Sequence, residues 1–210
     1  MPIRIGPKTI IMILSATCLV TCFIVAATLF SQVTAQMEHM QMLSNNATAN
    51  LSNIIFGEYD NSTLGIKFQH PKSWPTSTQE IGPITIIKLN TTRQSDMGII
   101  PPVVLFSVGP LPQNGKTLDD VTRINMAEAA KVNNFQLIES NATQLGGIGA
   151  KWILYSYSSS DPSVTFPLKS MDIWTVKNGK KYTFSFIDAQ REFDRQLPVV
   201  NKIIESIKIS

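Results

Sequence analysis

Ile10 to Phe30 reads IIMILSATCLVTCFIVAATLF, twenty-one residues without a charge. No other feature restricts the folding of this chain so much. As a helix at ~1.5 Å per residue the run reaches about 31 Å, the hydrocarbon thickness of a bilayer. Arg4 and Lys8 precede it, and the first acidic residue is Glu38. Basic residues stay on the cytoplasmic side, so the rest of the chain is expected outside. The run also fits a secretory signal, with Val33-Thr34-Ala35 before Gln36 as the small-residue cleavage site. Ser15, Thr17, Thr21 and Thr28 soften it as an anchor. The two readings are a single-pass cell-membrane protein with its C-terminal domain outside, or a protein secreted after cleavage near Ala35. A lipid-acceptor role for Cys22 fits less well, because Thr21 stands where a smaller residue is wanted.

The expected organisation is a basic N-terminus over 1–9, the transmembrane or signal helix over 10–30, a polar Met- and Asn-rich spacer over 31–53, and one domain over 54–210. About 175 residues follow Ala35, enough for one domain with its own core. Setting Arg4 and Lys8 aside from the formal charge of +3 leaves about +1 for the remainder. Nothing in it concentrates positive charge as phosphate binding requires, so a nucleic-acid partner is not expected. Both cysteines, Cys18 and Cys22, fall inside the apolar run. The domain therefore has no disulfide or thiolate chemistry, and its core must hold it alone.

Within the domain, strands are predicted over Leu64–His70, Pro83–Leu89, Pro102–Val108, Phe135–Glu139 and Lys151–Tyr157. Thr117 with Asp120 three residues on predicts a helix start. Leu118, Val121, Ala129 and Val132 share a face of that helix, interrupted by Asn125. Leu168 to Asp188 predicts a hairpin about Asn178-Gly179, which places Thr175 opposite Tyr182, Ile173 opposite Phe184 and Met171 opposite Phe186. The last apolar residues, from Phe193 to Ile207, recur at helical spacing. Pro198 predicts a break there, with the final helix starting beside it. The sum is an α+β domain with an antiparallel sheet of six or seven strands.

Tyr59 and the segment Leu64-Gly65-Ile66-Lys67-Phe68-Gln69-His70-Pro71-Lys72-Ser73-Trp74 carry a resemblance. The chain resembles the PsbP-like family, known for an extrinsic subunit of the photosynthetic oxygen-evolving complex. Tyr182, Phe184, Phe193 and the closing Ser206-Ile207-Lys208-Ile209, read as the end of a helix, extend the likeness over roughly 54–210. The resemblance implies an α-β-α sandwich around the antiparallel sheet. It also implies an extracytoplasmic, non-enzymatic binding or assembly module whose partner is a protein or a membrane complex. The photosystem role does not transfer, because the family's contacting extension is replaced here by the apolar run and spacer. The same residues also have plain structural reasons. Gly65 suits a close backbone approach, Pro71 ends a strand, and Trp74 folds back onto the core.

The rival binding reading is a small-ligand or copper carrier. Met37, His39, Met40 and Met42 present soft thioethers and an imidazole that suit Cu(I). A spacer that merely contains methionines explains them as well. Asn46, Asn50, Asn61, Asn90 and Asn141 each open a glycosylation sequon, where composition alone gives roughly two. Asp172, Trp174, Thr183 and Ser185 lie on the hairpin face opposite its core face, either as a ligand surface or beneath a covering helix or loop. Asp119, Asp120 and Asp188 read as carboxylates at helix N-termini. A hydrolase is the weakest reading: His70 is the domain's sole histidine and it stands at a strand end. The copper expectation is checked by titrating a peptide covering 36–45 with Cu(I) under reducing conditions. Binding at micromolar concentration supports it, and flat heats remove it.

Overall fold

The computed structural model describes residues 53–91 and 102–210. The apolar run, the Met-rich spacer, Asn46 and Asn50 lie outside the described residues. Among the described residues no helix is long and apolar enough to cross a membrane.

The hairpin forms at the centre of the sheet. Strands β8 (Pro167–Lys177) and β9 (Lys180–Ala189) turn through Asn178 and Gly179, at φ +49° and +73°. Positive φ at both positions is what the two-residue turn demands. The register follows the prediction, with Thr175 against Tyr182, Ile173 against Phe184 and Met171 against Phe186. β9 pairs with β5 (Val103–Pro110), β5 with β4 (Ile84–Asn90), and β4 with β3 (Thr76–Ile81). On the other side β8 pairs with β7 (Ile148–Ser158), and β7 with β6 (Gln136–Leu145). These make one antiparallel sheet of seven strands, in the order β3-β4-β5-β9-β8-β7-β6.

A second sheet holds three strands that pattern reading only partly anticipates. β2 (Ile66–Pro71) is flanked by β1 (Phe56–Asn61) and by the short β10 (Lys208–Ile209). β3 has no apolar alternation to signal it, because it is exposed throughout except for half-buried Thr76.

Helix α1 (Leu118–Ala129) starts at the expected capping box. Thr117 Oγ1 accepts from the Asp120 N–H, and the Asp120 carboxylate accepts from the Thr117 N–H. Helix α2 (Phe193–Ser206) corrects two expectations. Pro198 lies inside it without a break. The carbonyl that loses its partner belongs to Asp194, an exposed residue in the first turn, where a helix leaves few bonds to break. The helix also ends at Ser206 rather than running on to Ile209. Ile207 is extended, and the last residues pair with β2.

α2 and β2 lie against one face of the large sheet. Their contact buries Phe68, Phe106, Phe184, Phe186, Phe193, Val200 and Ile203 in the main core. Trp74, also in this core, is 6% exposed, as the turn after Pro71 predicts. Each such side chain contributes about 1.5–3 kcal/mol on burial. α1 packs on the opposite face, with Val121 against Ile153, Tyr155 and Trp174.

Gly65 joins the two ends of the domain. Its φ is +71°, and a Cβ there would stand 2.9 Å from the Ser210 carbonyl oxygen. Ser210 N–H in turn donates to the Gly65 carbonyl at 2.9 Å. Gly147, at φ +77°, has nothing within 4 Å of such a Cβ. Gly65→Ala should therefore cost roughly 2–4 kcal/mol by combining backbone strain with a backbone clash, and Gly147→Ala only about 1 kcal/mol. Urea unfolding of the two variants checks the difference.

Candidate functional site

Residues directly opposite in an antiparallel register share a face. Along β8 and β9 the face away from the main core carries Ser170, Asp172, Trp174 and Val176, set against Ile187, Ser185, Thr183 and Lys181. The expected set Asp172, Trp174, Thr183 and Ser185 is thus brought together on one surface, but not as an open one. Trp174 is 1% exposed, and its indole N–H donates to Thr122 Oγ1 of α1 at 2.9 Å. The helix covers it, which was the alternative reading of that set. Trp152 lies on the other face and packs against the main core.

Asp172 is the centre of what α1 leaves partly uncovered. Its Oδ2 accepts from the Tyr155 hydroxyl at 2.9 Å, and its Oδ1 accepts more weakly from Ser170 Oγ at 3.5 Å. Burial pushes the Asp172 pKa up, against the pull of Ser185, Tyr155, Ser170 and the Lys181 charge. Burial and the neighbouring carboxylate together push the Tyr155 hydroxyl above its ordinary value, and Tyr157 moves the same way. Burial lowers Lys181, and Asp172 partly offsets that shift. The Lys181 ammonium also donates to Asn125 Oδ1 at 3.4 Å, which accounts for the polar interruption in the stripe of α1. Thr183 Oγ1 is shielded and has no hydrogen-bond partner among the described residues.

Beyond this polar seam the same face continues as a wing over β3–β5 that mixes Ile81, Ile84, Ile86, Val103 and Leu105 with Gln79, Lys88 and Ser107. Ile81 pairs with Ile84 at its rim, and both are exposed. Ile86 and Leu105, half-buried, lie further in. The register sets Ile86 beside Ser107 and Leu105 beside Ser185, so the wing runs directly into the seam. At its inner margin this mixed wing meets half-buried Asp172 and the hydroxyls of β9.

The void lined by Phe68, Leu89, Phe106, Phe184, Ile203 and Ile207 has no space for a water molecule. A surface cleft of about 380 Å³ lies between Phe166-Pro167 and Ala189-Gln190-Arg191, at the β7–β8 and β9–α2 connections.

Other predicted positions fall elsewhere. His70 Nδ1 lies 3.0 Å from the Pro71 carbonyl, and the ring stands edge-on to Phe68. No hydrolytic constellation is assembled around it. Asp119 and Asp120 occupy the first turn of α1 as expected. Asp188 does not sit at a helix N-terminus: it is buried near the end of β9, and Oδ1 accepts from the adjacent Ala189 N–H at 2.7 Å. Among the described residues no group of three His, Cys, Asp or Glu is placed to hold a metal. Asn61 caps the first turn by accepting from Leu64 N–H, while Asn90 donates to Pro75 and Ser77. Asn141 is exposed in β6. Sequence reading missed Tyr155, Ser170 and Lys181. The available signal was the aligned polar side chains of β7, β8 and β9 once their register is drawn.

No family model matches the chain, and no curated protein does. Solved structures do match. The solution structure of cyanobacterial PsbP (CyanoP) from Synechocystis sp. is 16% identical with a TM-score of 0.51, covering 74% of this chain and 92% of that one. The crystal structure of LpqN from Mycobacterium tuberculosis is 18% identical with a TM-score of 0.53, covering 75% and 92%. At these identities the likeness is one of fold: the domain has the PsbP-like fold that the sequence resemblance implies.

Two tests follow from the face. Raising the folded pKa of Asp172 makes its ionised form destabilising. That cost is absent below the unfolded value of about 3.9 and grows as pH rises through the folded one. Asp172→Asn should therefore melt above wild type at pH 7 and converge with it below about pH 4. Thr122→Val, which orphans the Trp174 indole N–H, should cost about 1–3 kcal/mol in urea unfolding.

Proposed function

We propose that the chain is an extracytoplasmic, non-enzymatic binding or assembly module. The 10–30 segment tethers it to the cell membrane, or releases it on cleavage near Ala35. Its partner is a protein or a membrane complex, and its mechanism is docking by surface complementarity. The observation that carries this reading is the face of the large sheet over β3–β5, where among the described residues Ile81 and Ile84 stand exposed at the rim, with Ile86 and Leu105 further in and Lys88 between them. The shared fold with CyanoP and LpqN supports a scaffold role, and LpqN is described as involved in cell envelope biogenesis. The apolar N-terminal run supports an envelope location for this chain as well.

The cleft beside Arg191 favours the second reading, a carrier of a small anionic ligand. The Met-rich spacer would add copper handling to such a carrier, through Met37, His39, Met40 and Met42. Affinity capture of the full chain from detergent-solubilised membranes, after mild crosslinking, separates the two readings. Docking on the wing predicts a stoichiometric protein partner, reduced at least tenfold by Ile81→Glu, a substitution at a half-exposed rim position. Recovery of the chain alone, or capture unaffected by Ile81→Glu, overturns docking at this face.

A further inference from the structure

The large sheet ends in two edges of different character. β3 has six residues, whereas β6 has ten and is exposed at all but Leu145. A long exposed edge presents a row of unpaired backbone groups to any other strand. β6 already carries two devices that disfavour such pairing: a break in register between Leu137 and Glu139, and the Glu139 charge itself. Leu137 and Ile138 nevertheless remain largely exposed there.

Asn141-Ala142-Thr143 occupies the middle of this edge. Asn141 Oδ1 accepts from the Ala142 N–H at 2.8 Å, so the side chain curls onto its own strand and takes up a backbone donor. Its Nδ2 has no partner among the described residues. Thr143 is exposed two residues on, on the same side of the strand. The other two sequons of the domain differ. Asn90 Nδ2 donates to the Pro75 carbonyl and to Ser77 Oγ, both at 3.2 Å. Asn61 Nδ2 lies 3.4 Å from the Tyr59 hydroxyl, while its Oδ1 holds the first turn. A glycan on either nitrogen competes with contacts of the fold, and on Asn141 it competes with none.

We infer that Asn141 is an N-glycosylation site and that its glycan shields the β6 edge from pairing with other strands. The inference rests on the extracytoplasmic placement proposed above. The donor is an oligosaccharide joined to a polyprenyl phosphate or pyrophosphate. Asn141 Nδ2 forms the bond to the anomeric carbon, and the bond from that carbon to the phosphate oxygen breaks. The lipid phosphate leaves with the electron pair, and one amide proton is lost to base. The remaining N–H and the Oδ1 bond to Ala142 are undisturbed. The glycan then stands over the row of free backbone groups.

The test uses the full chain purified from its native membranes. Peptides spanning Asn61, Asn90 and Asn141 are examined by an open-mass search, with protease treatment of intact cells run in parallel. The expected result is a sugar mass on the majority of Asn141 peptides and bare Asn61 and Asn90. Thr143→Ala should lose the mass and form dimers or larger species in size exclusion, while Thr143→Ser keeps the mass and the monomer. A domain that is cleaved from outside yet bare at Asn141, or modified at Asn61 or Asn90 instead, overturns this inference alone. A domain shielded from external protease overturns the placement and this inference together. A Thr143→Ala protein that loses the sugar and stays monomeric overturns the shielding role.

Discussion

The aromatic ladder of β9 is the constraint on which the rest of the domain depends. Tyr182, Phe184 and Phe186 all project to one face, and in a domain without cysteine only packing can keep them from water. Phe106 comes from β5, Phe68 from β2 and Phe193 from α2, the last at 4.5 Å between ring centroids with Phe186. Elements distant in sequence are drawn to one place by this demand. The small sheet exists for the same reason: β2 has to lie over the ladder. Once there, its free edges are taken up by the first strand of the domain and by the last two paired residues, Lys208 and Ile209. The Tyr182 hydroxyl, donating to the Leu64 carbonyl at 3.2 Å, ties the ladder to the turn that Gly65 makes possible.

Satisfying that face leaves the other with less to cover it. Among the described residues a single twelve-residue helix lies over β7 and β8. The boundary of its coverage passes through Asp172 and Lys181, and the chemistry changes there. Under the helix the face is aromatic and aliphatic. At the helix border it becomes a carboxylate, an ammonium and hydroxyls, and beyond, over β3–β5, aliphatic side chains alternate with Gln79, Lys88 and Ser107. A partly buried carboxylate is costly wherever a neutral residue would pack. Its position at the margin of an incompletely covered face, rather than within the core, fits a surface arranged for contact.

The legibility of this chain tracks how locally each feature is determined. The hairpin register, the Asn178-Gly179 turn, the capping box at Thr117 and the closeness at Gly65 depend on a few adjacent residues, and each was readable. β3 was not readable, because an exposed edge strand needs no apolar alternation. The continuity of α2 through Pro198 was hidden because the cost of that proline depends on where in the helix it falls. β10 escaped notice because only its pairing with β2 distinguishes it from the end of the helix before it. The site was half legible. Alternation showed that Asp172, Trp174, Thr183 and Ser185 share a face. The helix that covers Trp174 and the Tyr155 hydroxyl that meets Asp172 come from segments remote in sequence, and no local pattern reports them.

Coverage and edge protection also bear on the docking proposed for this face. Lateral growth of the sheet is disfavoured at β6 by a register break and a charge, and at β3 by short length and the Gly82-Pro83 turn. The β10 side of the small sheet is only two residues long. A partner that bound by adding a strand would have to overcome each of these features. A partner that lies flat over Ile81, Ile84, Ile86 and Leu105 meets none of them. It would also bring the polar seam around Asp172 to its margin, where electrostatic complementarity selects among partners. The proposed docking would use the asymmetry that, among the described residues, leaves this face less covered than the other.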